Sequence, residues 1–251
     1  MPNAILCDSP FPAMLLPGRE DQLAFRGNRN GNPSKFKIWG ERCSGTNFMS
    51  SLVSANFPGL TSGMRTSWKH GLVKLHQTDT DLLHIFIVRD PLDWLRSLHR
   101  RPWHLPAKYW GEPFSEFIRR EWFTDLHDRG RSGIEWWNDR HPTTRQRYRN
   151  ILELRSVKLR YHLIALSMLP NTCLVRYEDV EHEPETLLNE IAGSFDLEHR
   201  QKFKAISTYK GHIAAKYTKR SYPDLEPNDV QFIFGELDAD IESALSYGQP
   251  E

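Results

Sequence analysis

The sequence predicts an α/β fold, a three-layer α/β/α arrangement with a mainly parallel central sheet. Three observations predict it. The run Leu82–Val88, LLHIFIV, is apolar at nearly every position, as expected of a strand covered on both faces of a parallel sheet. Lys37 to Trp39 ends a second apolar run, and both runs pass through a polar breaker into a segment of helical period. Further along, apolar runs and helical patterns keep alternating, the order that builds parallel sheets.

Residues 1–34 are rich in Pro, Gly and Asn, with PFPAMLLPG and RGNRNGNPS as breakers, and are expected to form an N-terminal arm packed on or covering the domain. After the strand ending at Trp39 comes the polar loop Gly40 to Asn47. Phe48, Met49, Leu52 and Val53 then mark one face of a helix. Weak strand character follows around Thr66 to Lys69, and then the central strand Leu82–Val88. Asp90 is read as an N-cap and Pro91 as the first residue of a helix to about Arg101, with Trp94, Leu95 and Leu98 on one face. Residues 102–150 change texture: Trp103, Tyr109, Trp110, Trp122, Trp136 and Trp137 are scattered among Arg and His. They are read as a helical, aromatic-rich insertion, its rings packing on the main core or lining an acceptor pocket. A helix over Tyr148 to Leu169, a strand at Thr172 to Tyr177, a helix from Pro184 to Phe195, a basic loop over Ser207 to Tyr222 and a long helix from Pro227 to Tyr247 complete the order. Residues 35–251 are read as one domain.

Composition narrows the function. The chain has 251 residues, 39% of them hydrophobic, enough for one sizeable core. Lys and Arg number 33 against 32 Asp and Glu, so the overall charge gives no reason to invoke nucleic acid or a membrane surface. Any anion site must be local. Cys7, Cys43 and Cys173 are odd in number and fit no metal or C-x-x-C spacing, which suits a reducing compartment. No apolar run approaches the ~20 residues of a membrane helix, and the N-terminus lacks the pattern of a signal peptide. A cytoplasmic protein without a membrane span is the expectation; oligomeric state leaves no signal.

The loop Gly40 to Asn47 carries the chemistry. Gly40 and Gly45 keep the G-x-x-x-x-G frame of a phosphate-cradling loop, and Thr46 follows. Such a loop aims backbone N–H groups and a helix N-terminus at one point, which suits an anion. The lysine of a nucleotide triphosphate loop is absent, because Thr46 and Asn47 stand where Lys and Ser or Thr belong. An ordinary ATP or GTP site is therefore disfavoured. The plain alternative is a turn joining a strand to a helix.

Three motifs in order give the loop a partner. Arg42-Cys43-Ser44-Gly45-Thr46-Asn47-Phe48 carries an S-G-T core, Arg89 precedes Ser97 by eight residues, and Tyr177-Glu178-Asp179 follows a late strand. On these motifs the chain resembles the sulfotransferases that use 3'-phosphoadenosine 5'-phosphosulfate (PAPS), whose fold is related to that of P-loop proteins. The resemblance covers roughly residues 35 to 222, with the middle unaligned. It implies that the 5'-phosphosulfate is held by Arg42, Cys43, Ser44, Gly45, Thr46 and Asn47, without a metal, and the 3'-phosphate by Arg89 and Ser97. It implies stacking of Phe48 on adenine, a base contact from Tyr177 and closure of Lys210-Gly211 over the 3'-phosphate; core packing of Phe48 and a solvated basic loop are the plain alternatives. PAPS is then the co-substrate, adenosine 3',5'-bisphosphate the product, and a carbohydrate or small molecule the acceptor at a hydroxyl or amine.

The acceptor must lose a proton as the sulfuryl group passes in line, and a histidine base contributes ~10²- to 10⁴-fold. The resemblance implies a base between the two phosphate motifs, often in a K-x-H context, and Trp68-Lys69-His70-Gly71 lies 19 residues before Arg89. His70 is the candidate base, ahead of His76 and His84, and a loop histidine with a structural hydrogen bond is the plain alternative. His84 lies within the apolar strand and reads as a packed, satisfied side chain. The departure from the family is Cys43, where a basic residue usually stabilises the leaving phosphate. Arg42 is preferred for that role, with Lys69 the other choice. A catalytic thiol at Cys43 is disfavoured, since no Cys-His pattern accompanies it. The competing functions are a P-loop kinase or nucleotide-binding protein, and a non-catalytic adenosine 3',5'-bisphosphate binder.

Overall fold

The structure, a computed structural model, describes residues 23–27, 29–63, 68–76, 79–125, 134–208 and 221–249. Its contacts divide the chain into two compact units, one of residues 14–90 and 162–221, the other of residues 1–13, 91–161 and 222–251. The first contains the sheet. Five strands, β1 (Ala24–Arg26), β2 (Lys35–Trp39), β3 (Thr61–Ser62), β4 (Leu82–Val88) and β5 (Thr172–Arg176), lie in the order β1-β5-β4-β2-β3. β3, β2, β4 and β5 are mutually parallel, and β1 joins the β5 edge antiparallel. Part of the expected arm is therefore an edge strand of the sheet.

The period-2 alternation of β4 decides both faces of the sheet. Leu83, Ile85 and Ile87 point into a buried cluster with Phe36 and Ile38 of β2 and Cys173 and Val175 of β5. Helix α1 (Thr46–Asn56) covers it with Met49, Leu52 and Val53, and helix α6 (Pro184–Phe195) with Leu187, Leu188, Ile191 and Phe195. Truncating one such aliphatic side chain to Ala typically costs about 2–5 kcal/mol. On the other face Trp39, His84 and Phe86 form a near-parallel aromatic row, and His162 of helix α4 (Ile151–Met168) meets Phe86 at 4.8 Å between ring centroids. The sheet is thus flanked by helices on both faces, as the alternating pattern predicts.

Helix α5 (Tyr177–His182) starts directly at the end of β5, so Tyr177 opens a helix rather than closing a strand. Trp68 to Gly71 forms a tight turn in which Gly71 N–H donates to the Trp68 carbonyl at 3.0 Å, and not the weak strand expected there; Thr66 lies outside the described residues.

The second unit contains helices α2 (Pro91–Arg100), α3 (Phe114–Arg119), the first part of α4, α7 (Pro227–Glu236) and α8 (Ala239–Ala244). The long helix expected over Pro227 to Tyr247 breaks in two, because Asp238 caps α8: its carboxylate accepts the Ile241 N–H while Leu237 is extended. Among the described residues of 102–150, helix is confined to α3 and two single 3₁₀ turns, Ala107–Tyr109 and Trp137–Asp139. Prolines 102, 106, 113 and 142 interrupt the helical insertion expected there. This unit buries charge as well as apolar surface. Arg155 forks onto Glu242 at 2.7 and 2.8 Å, and Lys158 Nζ lies 2.6 Å from Asp139 Oδ1. Among the described residues, no helix is long and apolar enough to cross a membrane.

Candidate functional site

Parallel strands side by side place their carboxyl ends on one edge of the sheet, where open α/β sheets bind ligands. Here Trp39 pairs in register with Phe86, and Val88 with Arg176. The loop after β2, Arg89 after β4 and Tyr177 after β5 consequently meet at that edge. This adjacency joins the three sequence motifs, apart from Ser97, into one place.

The loop is shaped by its glycines. Gly45 has φ of 95°, and a Cβ there would lie 2.4 Å from Tyr177 Cδ2. A Cβ at Gly40 would lie 2.5 Å from the Ile87 carbonyl oxygen. Both positions are closed to a side chain by close approach, and Gly45 also by its left-handed backbone. Cys43 is left-handed too, at φ 64°, so the backbone curls around the loop as it does in anion-binding nests. Ser44 holds the curl from inside, its hydroxyl donating to the Glu41 carbonyl at 2.6 Å. α1 then starts from Gly45, whose carbonyl accepts the Met49 N–H at 3.0 Å. The N–H groups of Thr46, Asn47 and Phe48 belong to the first turn, which has no intrahelical acceptors. Thr46 is buried, Asn47 exposed, and Phe48 packs partly buried against the apolar cluster.

The Trp68 to Gly71 turn lies against this loop. Gly40 N–H donates to the Lys69 carbonyl at 3.1 Å, and Lys69 Nζ donates to Asn47 Oδ1 at 2.5 Å. His70 Nδ1 is 2.6 Å from the Gly40 carbonyl oxygen. That oxygen can only accept, so the proton resides on Nδ1 and the lone pair of the neutral ring on Nε2.

Arg42 turns the other way. It is 1% exposed, its Nη1 lies 3.0 Å from Glu41 Oε2, and its guanidinium carbon lies over the Trp68 ring, 4.9 Å from the centroid. Lys69, not Arg42, brings its cationic end to Asn47 at the loop–helix junction. Arg89 Nη1 donates to the Cys43 carbonyl at 3.2 Å, and its guanidinium stacks on Tyr177 at 4.5 Å. Its Nε is buried with no hydrogen-bond partner among the described residues. A buried, charged donor left open at the sheet edge suits an anion. Tyr177 packs against Gly45 and Arg89, and its hydroxyl lies 3.4 Å from Glu181 Oε1. Glu178 of the same motif accepts the Asp90 N–H at 2.9 Å, tying the β4 end to α5.

Ser97 lies on α2 in the second unit. Lys210 and Gly211 lie outside the described residues. His84 is fully buried, and its Nδ1 accepts from Trp39 Nε1 at 3.0 Å, but its Nε2 has no partner among the described residues. The packing expected of it is present and the satisfaction is half complete. Burial pushes its pKa down to about 4, with Lys37 adding to the shift, and pushes Lys37 itself down to about 8. Sequence reading passed over Trp68 and Glu41, which hold Arg42. No local pattern marks a contact between residues 26 positions apart.

No protein-family model, curated protein or solved structure matches the chain.

Proposed function

We propose that the chain is a PAPS-dependent sulfotransferase with the P-loop-related fold of that family, transferring a sulfuryl group to a hydroxyl or amine of a carbohydrate or small-molecule acceptor. The observation that carries the reading is the placement of His70 and Lys69 on the Gly40–Asn47 loop, fixed by hydrogen bonds to Gly40 and Asn47. PAPS supplies an activated sulfuryl group with a phosphate leaving group. In this reading the N–H groups of the loop and first turn of α1 bind the 5'-side anion, a site assisted by the helix dipole. Lys69 meets the negative charge that develops on departure. His70 Nε2 accepts the acceptor's proton while Gly40 holds the ring by Nδ1–H. Arg89 takes the 3'-phosphate with its open Nε, and the resemblance adds Ser97 and Lys210-Gly211.

The test is thermal stabilisation followed by turnover. Adenosine 3',5'-bisphosphate without Mg²⁺ is expected to raise Tm, and ATP with Mg²⁺ is not; the reverse result would replace this reading with a kinase or nucleotidase. Transfer of labelled sulfate from PAPS across a panel of sugars, phenols and amines should then detect product in the native chain. His70→Ala should keep bisphosphate affinity and lose turnover by about 10²-fold or more. Bisphosphate binding with no transfer to any acceptor would identify a non-catalytic binder.

A further inference from the structure

Arg42 carries a full charge yet is almost completely buried, and its neighbours include an acid and an aromatic ring. Glu41 Oε2 lies 3.0 Å from its Nη1, and the Trp68 ring lies 4.9 Å from its guanidinium carbon. Trp68 in turn meets the His70 ring edge-on, at 5.5 Å and 84°. The same four-residue turn closes on itself through Gly71 N–H to the Trp68 carbonyl and docks on Gly40 through Lys69 and His70. One face of the Trp68 ring system therefore rests on a cation fixed within the loop, and its neighbour along the turn is the imidazole whose Nδ1 must find the Gly40 carbonyl.

We infer that Arg42 and Trp68 are a positioning pair: the guanidinium, held by Glu41, clamps the Trp68 ring and thereby sets His70 on Gly40 with its proton on Nδ1 and its lone pair on Nε2. The inference rests on the reading of His70 as the base. It assigns Arg42 a role in orienting the base rather than in meeting the leaving group. An arginine suits this place because its guanidinium can lie over an indole while its N–H groups donate to a carboxylate. An ammonium has no face to offer.

The experiment uses the full chain carrying ¹⁵N-labelled histidine. Two-bond proton–nitrogen spectra at pH about 8, where an ordinary imidazole is neutral, report which ring nitrogen of His70 bears the proton. The native chain should show the proton on Nδ1. Trp68→Ala should give a mixture of tautomers, a fall in kcat of about 10- to 100-fold, and a bisphosphate Kd within about threefold of native. Trp68→Phe, which keeps a ring face for the guanidinium, should restore the single tautomer and most of the kcat. Arg42→Lys should behave like Trp68→Ala, because it keeps the charge and loses the stack. A native His70 protonated on Nε2 would overturn the inference, as would a Trp68→Ala protein with unchanged tautomer and kcat. Should Trp68→Ala fail to fold, the native spectrum and Trp68→Phe still decide the matter. Failure of the sulfotransferase reading is seen separately, as absence of bisphosphate binding and of transfer by the native chain, and leaves the tautomer result standing as the test of the clamp.

Discussion

Lys69 Nζ donates to the Asn47 side-chain oxygen across a sequence gap of 22 residues, bringing an ammonium group to the start of α1. The loop itself has no lysine at that point, and the turn after α1 supplies one from outside.

If that ammonium meets developing charge, Lys69→Ala should lower kcat by about 10²-fold with little change in bisphosphate affinity. Lys69→Arg should recover part of it. Steady-state kinetics with PAPS and equilibrium titration of the bisphosphate separate the two quantities. Equal losses in kcat and affinity would make Lys69 a ground-state binding residue instead.

The backbone of the loop should be as critical as its side chains. In Gly45→Ala a Cβ would meet Tyr177 at 2.4 Å in a left-handed residue. The left-handed conformation alone costs roughly 1–2 kcal/mol. A lowered Tm and loss of bisphosphate binding are expected. Gly59→Ala, where a Cβ meets nothing within 4 Å, is the matched control and should leave both unchanged.

His84 ties stability to pH. Its folded pKa lies near 4 against an ordinary value of 6.5, so the fold favours the neutral ring. The corresponding stability is complete above pH 6.5 and is lost as pH falls through about 4, an effect on the order of 3 kcal/mol. The charged groups that act on it are Lys37, which adds to the shift, and Asp79, which opposes it, while Trp39 and Phe86 flank its ring. Lys37, lowered from 10.5 to about 8, acts with the same sign in the alkaline range, where stability from it should rise between those values. Urea titrations from pH 4 to 8 on native and His84→Gln protein test the acid arm. A variant that loses stability on acidification as steeply as the native chain would contradict the assignment.

In the second unit, Arg155 and Glu242 are 4% and 3% exposed and joined by two hydrogen bonds. Arg155→Met should destabilise by about 3–5 kcal/mol, because it leaves a buried carboxylate uncompensated. Adding Glu242→Leu should recover most of that loss, and denaturant midpoints of both variants measure it. Additive losses would argue against a coupled pair.

Much of the fold was legible because it is written in local pattern. Leu82–Val88 needed only its unbroken apolar run, and Pro184 to Phe195 began and ended where the sequence suggests. The long C-terminal helix was misread because Asp238 lies within an amphipathic pattern, and only its side-chain bond to Ile241 N–H turns it into a cap. Trp68 to Gly71 had β-branched neighbours but folds as a turn, because Gly40 claims its backbone and His70 side-chain groups.

The candidate site divides in the same way. Gly40 and Gly45 could be picked out from their spacing, and Arg89 and Tyr177 through the family resemblance, since a turn, a strand end and a helix start each leave a trace in neighbouring residues. The direction in which a long side chain points leaves none. By itself the sequence determined the mainly parallel α/β order and where the strands ending at Trp39 and Val88 stop. Only the tertiary structure decided that those ends are adjacent, that Lys69 rather than Arg42 stands at the start of α1, and that Arg42 lies buried between Glu41 and Trp68. The physical reason is that strand and helix patterns arise from contacts a few residues apart. Stacking, ion pairing and donor–acceptor choice depend on groups the chain brings together only when the sheet has closed.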